Sequence, residues 1–335
     1  MYRIEDNKTG ASDHYKDYAE KVRSAVAAYL TKRSMFLGSS YAKEFLDDIA
    51  TTDTSIMNTG SKLEILLIGD FRQQKALIRD IDRELEKEEQ SNHGSRNRFF
   101  EIMKSLFVED FYGNRFFFSK DKHIDRVGID VCPYCGRNYI FSVNKRTKTN
   151  PNARVKPQID HFLPKKQYPY LALNYYNLIP SCNTCNESPC KWTNDPIDSD
   201  RAHEYLMHPY VFRPEDIVFS YIPTTKFYLD FSVIVDMSCA KTDLDKGYKE
   251  WLVLNKLYGK HNGEVTRMYK QLEGIVAVKY KQYIKKKFKV PLSFLKDVPQ
   301  MLFGYDLDDK MASQISLHKF KKDIFRQVVK DVGKF

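Results

Sequence analysis

The chain has 335 residues, with 54 Lys or Arg against 44 Asp or Glu, a formal net charge of +10 and 14% aromatic residues. This length and composition exclude a solvated, disordered chain and allow a substantial buried core. The positive charge favours a polyanionic partner, and nucleic acid is the most common one in a cell. No apolar stretch has the length of a membrane span, and the N-terminal residues lack the apolar core of a secretory signal. We therefore expect a cytoplasmic protein with no membrane partner.

Residues 1–125 are predicted to be helical. Apolar residues recur at spacings near 3.6 between Tyr18 and Leu30. A second helix is predicted over 62–89, with Ser61 as its N-cap and Glu64 completing a capping box.

A polar tract over 88–98 is predicted to be a loop, and a short helix ending near Asp110 is expected to follow it. The next apolar run is Phe116, Phe117 and Phe118, which we assign to the core rather than to a base-stacking platform.

The composition changes between Asp130 and Cys190, where Pro, Asn and five of the six cysteines are concentrated. We predict a compact domain over 126–215 that contains little long helix. Residues 140–143 fit the second strand of a hairpin whose turn holds Cys132 and Cys135. Residues 144–156 form a basic loop.

Residues 216–335 are predicted to be mostly helical, after a strand over 227–235 that is rich in aromatic and β-branched residues. Helices are expected from Leu244 onward, and an amphipathic one over 316–332. A Lys-rich helix over 280–289 is interpreted as a charged exposed face, with a second nucleic-acid surface as the alternative. The predicted fold class is thus α+β, with a small central domain between two mostly helical regions.

The cysteines form two C-x-x-C pairs, Cys132 with Cys135 and Cys182 with Cys185. In a reducing compartment such pairs indicate metal binding rather than disulfides. Two tight pairs on separate loops are what a tetrahedral Zn²⁺ site of four thiolates needs, and four protein ligands make such a zinc structural. Coincidental buried thiols are the alternative. Cys190 and Cys239 fall outside this pattern and are interpreted as ordinary thiols.

Between and just after these pairs stand Asp160-His161, Asn177 and Asn186. Together with the two cysteine pairs, these residues resemble the HNH, or ββα-metal, nuclease motif in its zinc-stapled form. The interval from Asn177 to Asn186 is also the one that this family uses. The resemblance covers roughly residues 128–200 and implies a small ββα-metal nuclease centre in the middle of the chain.

The chemistry of phosphodiester hydrolysis explains these residue types. His161 would be the general base, because imidazole titrates near neutral pH. Asp160 and Asn186 offer the oxygen ligands that suit a catalytic Mg²⁺ or Mn²⁺. Asn177 in this family orders the loop that holds the base. The family signature continues with Lys-Gly, whereas here Lys191 is displaced and the Gly is missing, which puts a phosphate contact of the family in doubt.

Within this group, the sequence from Cys132 to Gly136 and from Ile159 to Lys165 most resembles the HNH proteins of bacterial anti-phage defence, the Septu type and its retron-associated relatives. That resemblance implies an ATPase partner. DNA is the favoured substrate, and RNA such as tRNA is the alternative.

Basic residues flank the motif, and as a group they are interpreted as a rim that contacts phosphates. They are Arg146, Lys148, Arg154, Lys156, Lys165 and Lys166. His208 is interpreted as structural. Two competing functions remain open: a non-catalytic zinc module that binds nucleic acid, and an ATPase-docking subunit whose HNH centre is vestigial.

Overall fold

The N-terminal part of the chain is a helical layer that packs against the central segment. In the computed structural model, the described residues are 1–33, 38–57, 59–144, 149, 154–197, 203–224, 232–276 and 298–332. The N-terminal helices are α1 (Lys8–Arg33), α2 (Ser40–Thr51), α3 (Lys62–Ile68), α4 (Phe71–Ser91), α5 (Ser95–Met103), a π-helical continuation (Lys104–Tyr112) and α6 (Lys120–Val127). Helix α1 packs against α2, α3 and α6, which confirms the helical character predicted for this region.

The helix predicted over 62–89 is two helices, and local side chains explain the break. Ser61 caps α3 as predicted, accepting a hydrogen bond from the Glu64 amide at 3.2 Å. The carboxylate of Glu64, however, accepts from the amides of Thr59 and Gly60, so the predicted capping box is only half formed. A complete capping box stands at the start of α4, between Asp70 and Gln73. That second start signal ends one helix and begins the next.

The loop predicted over 88–98 is much shorter than expected. Helix α4 continues to Ser91 and α5 begins at Ser95. The Glu89 carboxylate makes this tight connection favourable, since it accepts hydrogen bonds from the amides of Gly94 at 2.6 Å and Arg96 at 2.9 Å. The assignment of the phenylalanine run to the core is correct for Phe118, which is buried, and wrong for Phe116, which is 83% exposed.

The central segment contains a cysteine knuckle, two small sheets and a short helix. A cysteine knuckle over 130–140 is closed by an antiparallel bridge between Val131 and Tyr139. The arms of this hairpin therefore lie at 130–132 and 138–140, and the prediction that 140–143 is the second arm was wrong. Two small sheets follow. The strands are β1 (Val143–Asn144) with β2 (Arg154–Val155), and β3 (Gln158–His161) with β4 (Leu178–Ser181), both antiparallel, and β4 leads into the short helix α7 (Asn183–Asn186).

The C-terminal part adds one longer hairpin and several helices. The strands are β5 (Ile217–Pro223) and β6 (Val233–Cys239), and the helices are α8 (Asp243–Asp245) with a π-helical continuation (Lys246–Trp251), α9 (Leu254–Tyr258), α10 (Asn262–Val276), α11 (Val298–Phe303) and α12 (His318–Val332). The strand predicted over 227–235 is observed from Val233, and residues 225–231 lie outside the described residues. Strand β5 was not predicted. The final amphipathic helix is confirmed as α12, whereas the Lys-rich segment over 280–289 lies outside the described part.

One continuous core joins the three parts. Its buried side chains include Tyr15 on α1, Phe162 after β3 and Phe320 on α12. The result is a mixed α/β protein, mostly helical, whose described sheets are two-stranded. The α+β class is thus observed in this general form. The boundaries at 125 and 215 stay predictions. In the described part of the chain, no helix is both long and apolar enough to cross a membrane.

Candidate metal and catalytic centre

The two cysteine pairs meet at one point. Cys132 and Cys135 lie on the knuckle, Cys182 precedes α7 and Cys185 lies within it. All four side chains are buried, and their Sγ atoms lie within 4.8 Å of one another. A tetrahedral zinc with Zn–S bonds of about 2.3 Å separates its sulfurs by about 3.8 Å, and the Cys135 and Cys182 Sγ atoms are 4.0 Å apart. The predicted four-cysteine cluster is confirmed, and its size and thiol donors fit Zn²⁺.

The electrostatics of this cluster favour a bound cation. Burial raises the pKa of the Cys132 thiol, while hydrogen bonds from the neighbouring thiols lower the pKa of Cys135. Four thiols packed this closely cannot all ionise by themselves, because each thiolate repels the next. A dication would compensate these charges, and no position would remain open for water. Gly136, at φ +63°, provides the left-handed turn that follows the first pair.

Strands β3 and β4 position the proposed base. His161 pairs with Leu178 across the hairpin, and its side chain is only 6% exposed. Its Nε2 atom lies 3.1 Å from the carbonyl oxygen of Ala172. Since a carbonyl only accepts, Nε2 must carry the proton, which leaves Nδ1 with a free lone pair. The ring also packs edge-on against Tyr112, with the centroids 4.5 Å apart.

The surroundings keep this imidazole neutral. Burial holds the pKa of His161 well below its usual value, and Lys165 and Lys191 lower it further. Among the described residues Nδ1 has no hydrogen-bond partner, and it is not fully buried from solvent. His161 is therefore arranged as a neutral acceptor of a proton.

The carboxylate of Asp160 is buried and already has two partners. Tyr134 donates a hydrogen bond of 2.5 Å to Oδ2, and Lys191 Nζ lies 3.1 Å from Oδ1 and 3.0 Å from Oδ2. Lys191 has no exposed surface and also donates to the carbonyl oxygen of His161 at 2.9 Å. The doubt that the sequence raised about a family phosphate contact at this position is justified, because Lys191 neutralises Asp160 instead.

Asn177 holds the loop between the two strands. Its Oδ1 accepts from the Leu163 amide at 2.7 Å. Its Nδ2 donates to the carbonyl oxygens of Leu163 at 3.1 Å and Leu171 at 3.2 Å. These three bonds tie the chain directly after His161 to the turn that carries Ala172, the partner of the base. This geometry is what a loop-ordering residue requires.

Asn186, the last residue of α7, hydrogen-bonds the first residue of β3. Its Nδ2 donates to Gln158 Oε1 at 2.6 Å, so Oδ1 is the atom left for another partner. The oxygen donors of Asp160 and Asn186 are of the kind that Mg²⁺ and Mn²⁺ prefer. In the described part of the chain, the group of three or more His, Cys, Asp or Glu side chains that is placed to hold a metal ion is the four-cysteine cluster. A hard cation held by Asp160 and Asn186 stays a prediction, and it would have to share Asp160 with Lys191.

Other residues named from the sequence lie outside this centre. His208 packs between Phe71, with the centroids 4.7 Å apart, and Phe162 at 4.5 Å, and it is structural as predicted. Cys239 ends β6, and Cys190, although buried, is not part of the four-sulfur cluster.

Of the predicted basic rim, only some members lie in the described part. Lys156 forms an ion pair with Asp121 at 2.9 Å. Lys165 and Lys166 are exposed after His161, whereas Arg146 and Lys148 and the side chain of Arg154 lie outside what the structure describes.

Sequence reasoning missed the contribution of the helical region to this centre. Tyr112 comes from the π-helical segment and Lys120 from the start of α6, and the Lys120 Nζ lies 4.5 Å from the Tyr112 ring centroid. No local pattern marks either residue. The role of Tyr134 had a weak signal, since it stands between the first two cysteines of the motif.

Together these features define a mixed α/β protein with a buried four-cysteine centre that has the geometry of a zinc site, next to a β-hairpin that carries a neutral histidine. Over 59 residues, or 18% of its length, the chain is 39% identical to the Septu protein PtuB of Bacillus thuringiensis, of which this segment covers 20%. It is also 26% identical over 147 residues, or 41% of its length, to protein ea31 of Escherichia phage lambda, covering 43% of that protein. The chain thus spans less than half the length of either relative. No protein-family model and no solved structure matches it.

Proposed function

We propose that this protein is a metal-dependent endonuclease of the HNH type that hydrolyses phosphodiester bonds of nucleic acid. The observation that carries the proposal is the hydrogen bond from His161 Nε2 to the Ala172 carbonyl, which leaves Nδ1 as a base beside Asp160. Buried neutral histidines are common in cores. This one is distinguished by its place on the hairpin whose second strand leads into the cysteine cluster, and by a ring nitrogen left free to accept a proton.

In the proposed reaction, His161 Nδ1 takes a proton from a water molecule while the water oxygen forms a bond to phosphorus. The bond from phosphorus to the 3′-oxygen breaks, and this oxygen takes a proton from solvent water, which leaves 5′-phosphate and 3′-hydroxyl ends, as the HNH resemblance implies. Asn177 keeps the base in place through the loop, and Asp160 and Asn186 are the residues that would hold a divalent cation. Such a cation supplies charge neutralisation at the phosphate and the leaving oxygen.

The biological role proposed is that of an effector nuclease in bacterial anti-phage defence, acting with an ATPase partner. Similarity to the Septu protein PtuB supports it, over the segment that this relative shares with the chain. DNA is the favoured substrate and RNA such as tRNA is the alternative, because the net charge of +10 suits either polyanion.

A second function is favoured by one observation. The Asp160 carboxylate is already neutralised by the buried Lys191. If the Asp160–Lys191 ion pair never separates to admit a metal cation, the centre is vestigial. The protein would then be a zinc-containing module that binds nucleic acid or docks an ATPase.

The test is cleavage of supercoiled plasmid and of total tRNA in Mg²⁺, in Mn²⁺ and in EDTA, for the protein alone and together with any ATPase that co-purifies with it. We expect cleavage that needs the divalent ion and that falls about 100-fold or more in His161→Ala, because general-base catalysis contributes roughly 10²–10⁴-fold.

The matched control is His203→Ala. This histidine is exposed and hydrogen-bonds Asp243 at 2.7 Å, so its loss should leave cleavage unchanged. Equal activity of wild type and His161→Ala would remove His161 as the base. Binding without cleavage under every condition would favour the vestigial module.

A further inference from the structure

Two lysine ammonium groups lie close to the ring of Tyr112, beside His161. Lys120 Nζ lies 4.5 Å and Lys165 Nζ 4.9 Å from the centroid of the Tyr112 ring. The same ring packs edge-on against His161. The negative face of an aromatic ring attracts cations, so Tyr112 gathers both lysines next to the proposed base. They come from α6 and from the loop after β3, which places the helical region in direct contact with the centre.

Neither of these two lysines has an acidic partner among the described residues, whereas three other lysines nearby do. Lys122 contacts Asp17 at 3.2 Å, Lys156 contacts Asp121 at 2.9 Å and Lys191 contacts Asp160. Like charges gathered on one ring repel each other unless an anion lies between or beside them.

The electrostatics agree with that geometry. Partial burial of its ammonium group lowers the pKa of Lys165, neighbouring Lys120 lowers it further, and Asp160 raises it. Loss of hydration also lowers the pKa of Lys120, with a second contribution from Lys156. The smaller contributions from Lys120 and Lys156 show that neighbouring positive charges act on these two ammonium groups.

We propose that Lys120 and Lys165, supported by Tyr112, bind the phosphate group of the nucleic-acid substrate beside His161. The inference rests on the proposed function, and it assigns the phosphate contact to these two residues instead of Lys191. An ammonium is a compact point charge with three donors, which suits a phosphate oxygen. Binding there places phosphorus next to Nδ1 and relieves the repulsion between the two lysines.

The experiment measures binding rather than cleavage. A fluorescein-labelled duplex DNA of 20 base pairs is titrated with the zinc-loaded protein in EDTA-free buffer without Mg²⁺, in the His161→Ala background, over a series of NaCl concentrations. Lys120→Gln and Lys165→Gln are each expected to weaken binding several-fold. Each should also reduce the slope of log K against log salt by about one unit, as the loss of one phosphate contact does.

Two matched controls separate a specific contact from general charge. Lys122, on the same helix as Lys120, pairs with Asp17, and Lys43 on α2 pairs with Asp47. Lys122→Gln and Lys43→Gln should both leave the affinity within twofold. The conservative variant Lys165→Arg should keep the wild-type slope. Zinc content and circular dichroism check that each variant is folded.

The outcomes distinguish this inference from the proposed function. If Lys120→Gln and Lys165→Gln bind with the affinity and the salt slope of the parent protein, the inference is overturned, even where His161 proves essential for cleavage. If they lose both while cleavage is absent or independent of His161, the phosphate contact stands and the catalytic assignment fails.

Discussion

Lys191 is buried without exposed surface between the carboxylate of Asp160 and the backbone carbonyl of His161. An ammonium removed from water is stable only when its charge is compensated and its protons are accepted. Asp160 and the His161 carbonyl meet these requirements, and Tyr134 completes the set by donating to the same carboxylate. The charges of Asp160 and Lys191 therefore stabilise each other, and a metal cation that binds Asp160 would have to share it with Lys191.

This coupling gives a prediction for stability. We expect Lys191→Met to lower the free energy of unfolding by about 3–5 kcal/mol, because it leaves the Asp160 carboxylate buried without its partner. Asp160→Asn should also be costly, since it leaves the ammonium uncompensated. The double variant should cost less than the sum of the two, with a coupling of about 1–3 kcal/mol. Urea unfolding at fixed zinc concentration measures all three.

A surface ion pair provides the comparison. Lys122 pairs with Asp17 in an exposed position, and Lys122→Met should cost less than about 1 kcal/mol. Strictly additive effects of Lys191→Met and Asp160→Asn would contradict the coupled pair.

At the scale of elements, the cysteine knuckle over 130–140 is the junction between the central segment and the C-terminal part. Tyr258 on α9 donates a hydrogen bond of 2.5 Å to the Cys135 carbonyl, and the Leu317 amide, just before α12, donates to the Gly136 carbonyl at 2.6 Å. The four sulfurs join this knuckle to α7, which follows β4. A zinc ion there would hold the knuckle to α7, while the two hydrogen bonds join the knuckle to the C-terminal part.

We therefore predict that Cys182→Ser removes the zinc and lowers the melting temperature by about 10 °C or more, because a structural zinc contributes its binding energy to folding. Metal content by mass spectrometry and scanning calorimetry measure the two effects. Cys239→Ser is the matched control, since Cys239 lies at the end of β6 outside the cluster, and it should keep one zinc per chain. A Cys182→Ser protein with full zinc content and an unchanged melting temperature would show that the cluster is not a zinc site.

At the scale of the whole molecule, neutral histidines join the helical layer to the central segment. His14 on α1 donates from Nε2 to the Leu173 carbonyl at 2.8 Å, and His123 on α6 donates to the Leu178 carbonyl at 2.7 Å. Burial lowers the pKa of His14 to about 3, of His123 to about 4 and of the stacked His208 to about 3. The folded protein thus keeps three imidazoles neutral that an unfolded chain would protonate near pH 6.5.

The sign of the resulting pH dependence follows from proton binding. Between pH 6.5 and about 4 the unfolded state binds more protons than the folded state, so the free energy of unfolding falls as the pH falls. Each histidine contributes up to about 1.4 kcal/mol per pH unit. We expect urea midpoints to decrease steadily from pH 7 to 5.5, and His14→Gln to reduce the slope. A midpoint that is constant or rises over this range would contradict the neutral assignment.

Local features could be predicted from the sequence, whereas features that depend on long-range contacts could not. Ser61 and the C-x-x-C pairs act over a few residues, so their roles were visible as patterns, and the structure confirms the cap and the cysteine cluster. Strand β5 and the break at Gly69 were not predicted. The break comes from a second helix-start signal, the capping box of Asp70 and Gln73, inside the predicted helix. Strand β5 is stabilised by pairing with β6 and by packing against α12.

The sequence by itself determined the residues that can bind zinc and the histidine that is proposed to act as a base, because cysteine spacing and residue type limit that chemistry directly. Only the tertiary structure decided their surroundings. It turned Lys191 inward onto Asp160 and brought Tyr112 and Lys120 from the helical region to His161. The physical reason is that the charge state of a buried group depends on every neighbour within a few ångströms, and those neighbours come from distant parts of the chain.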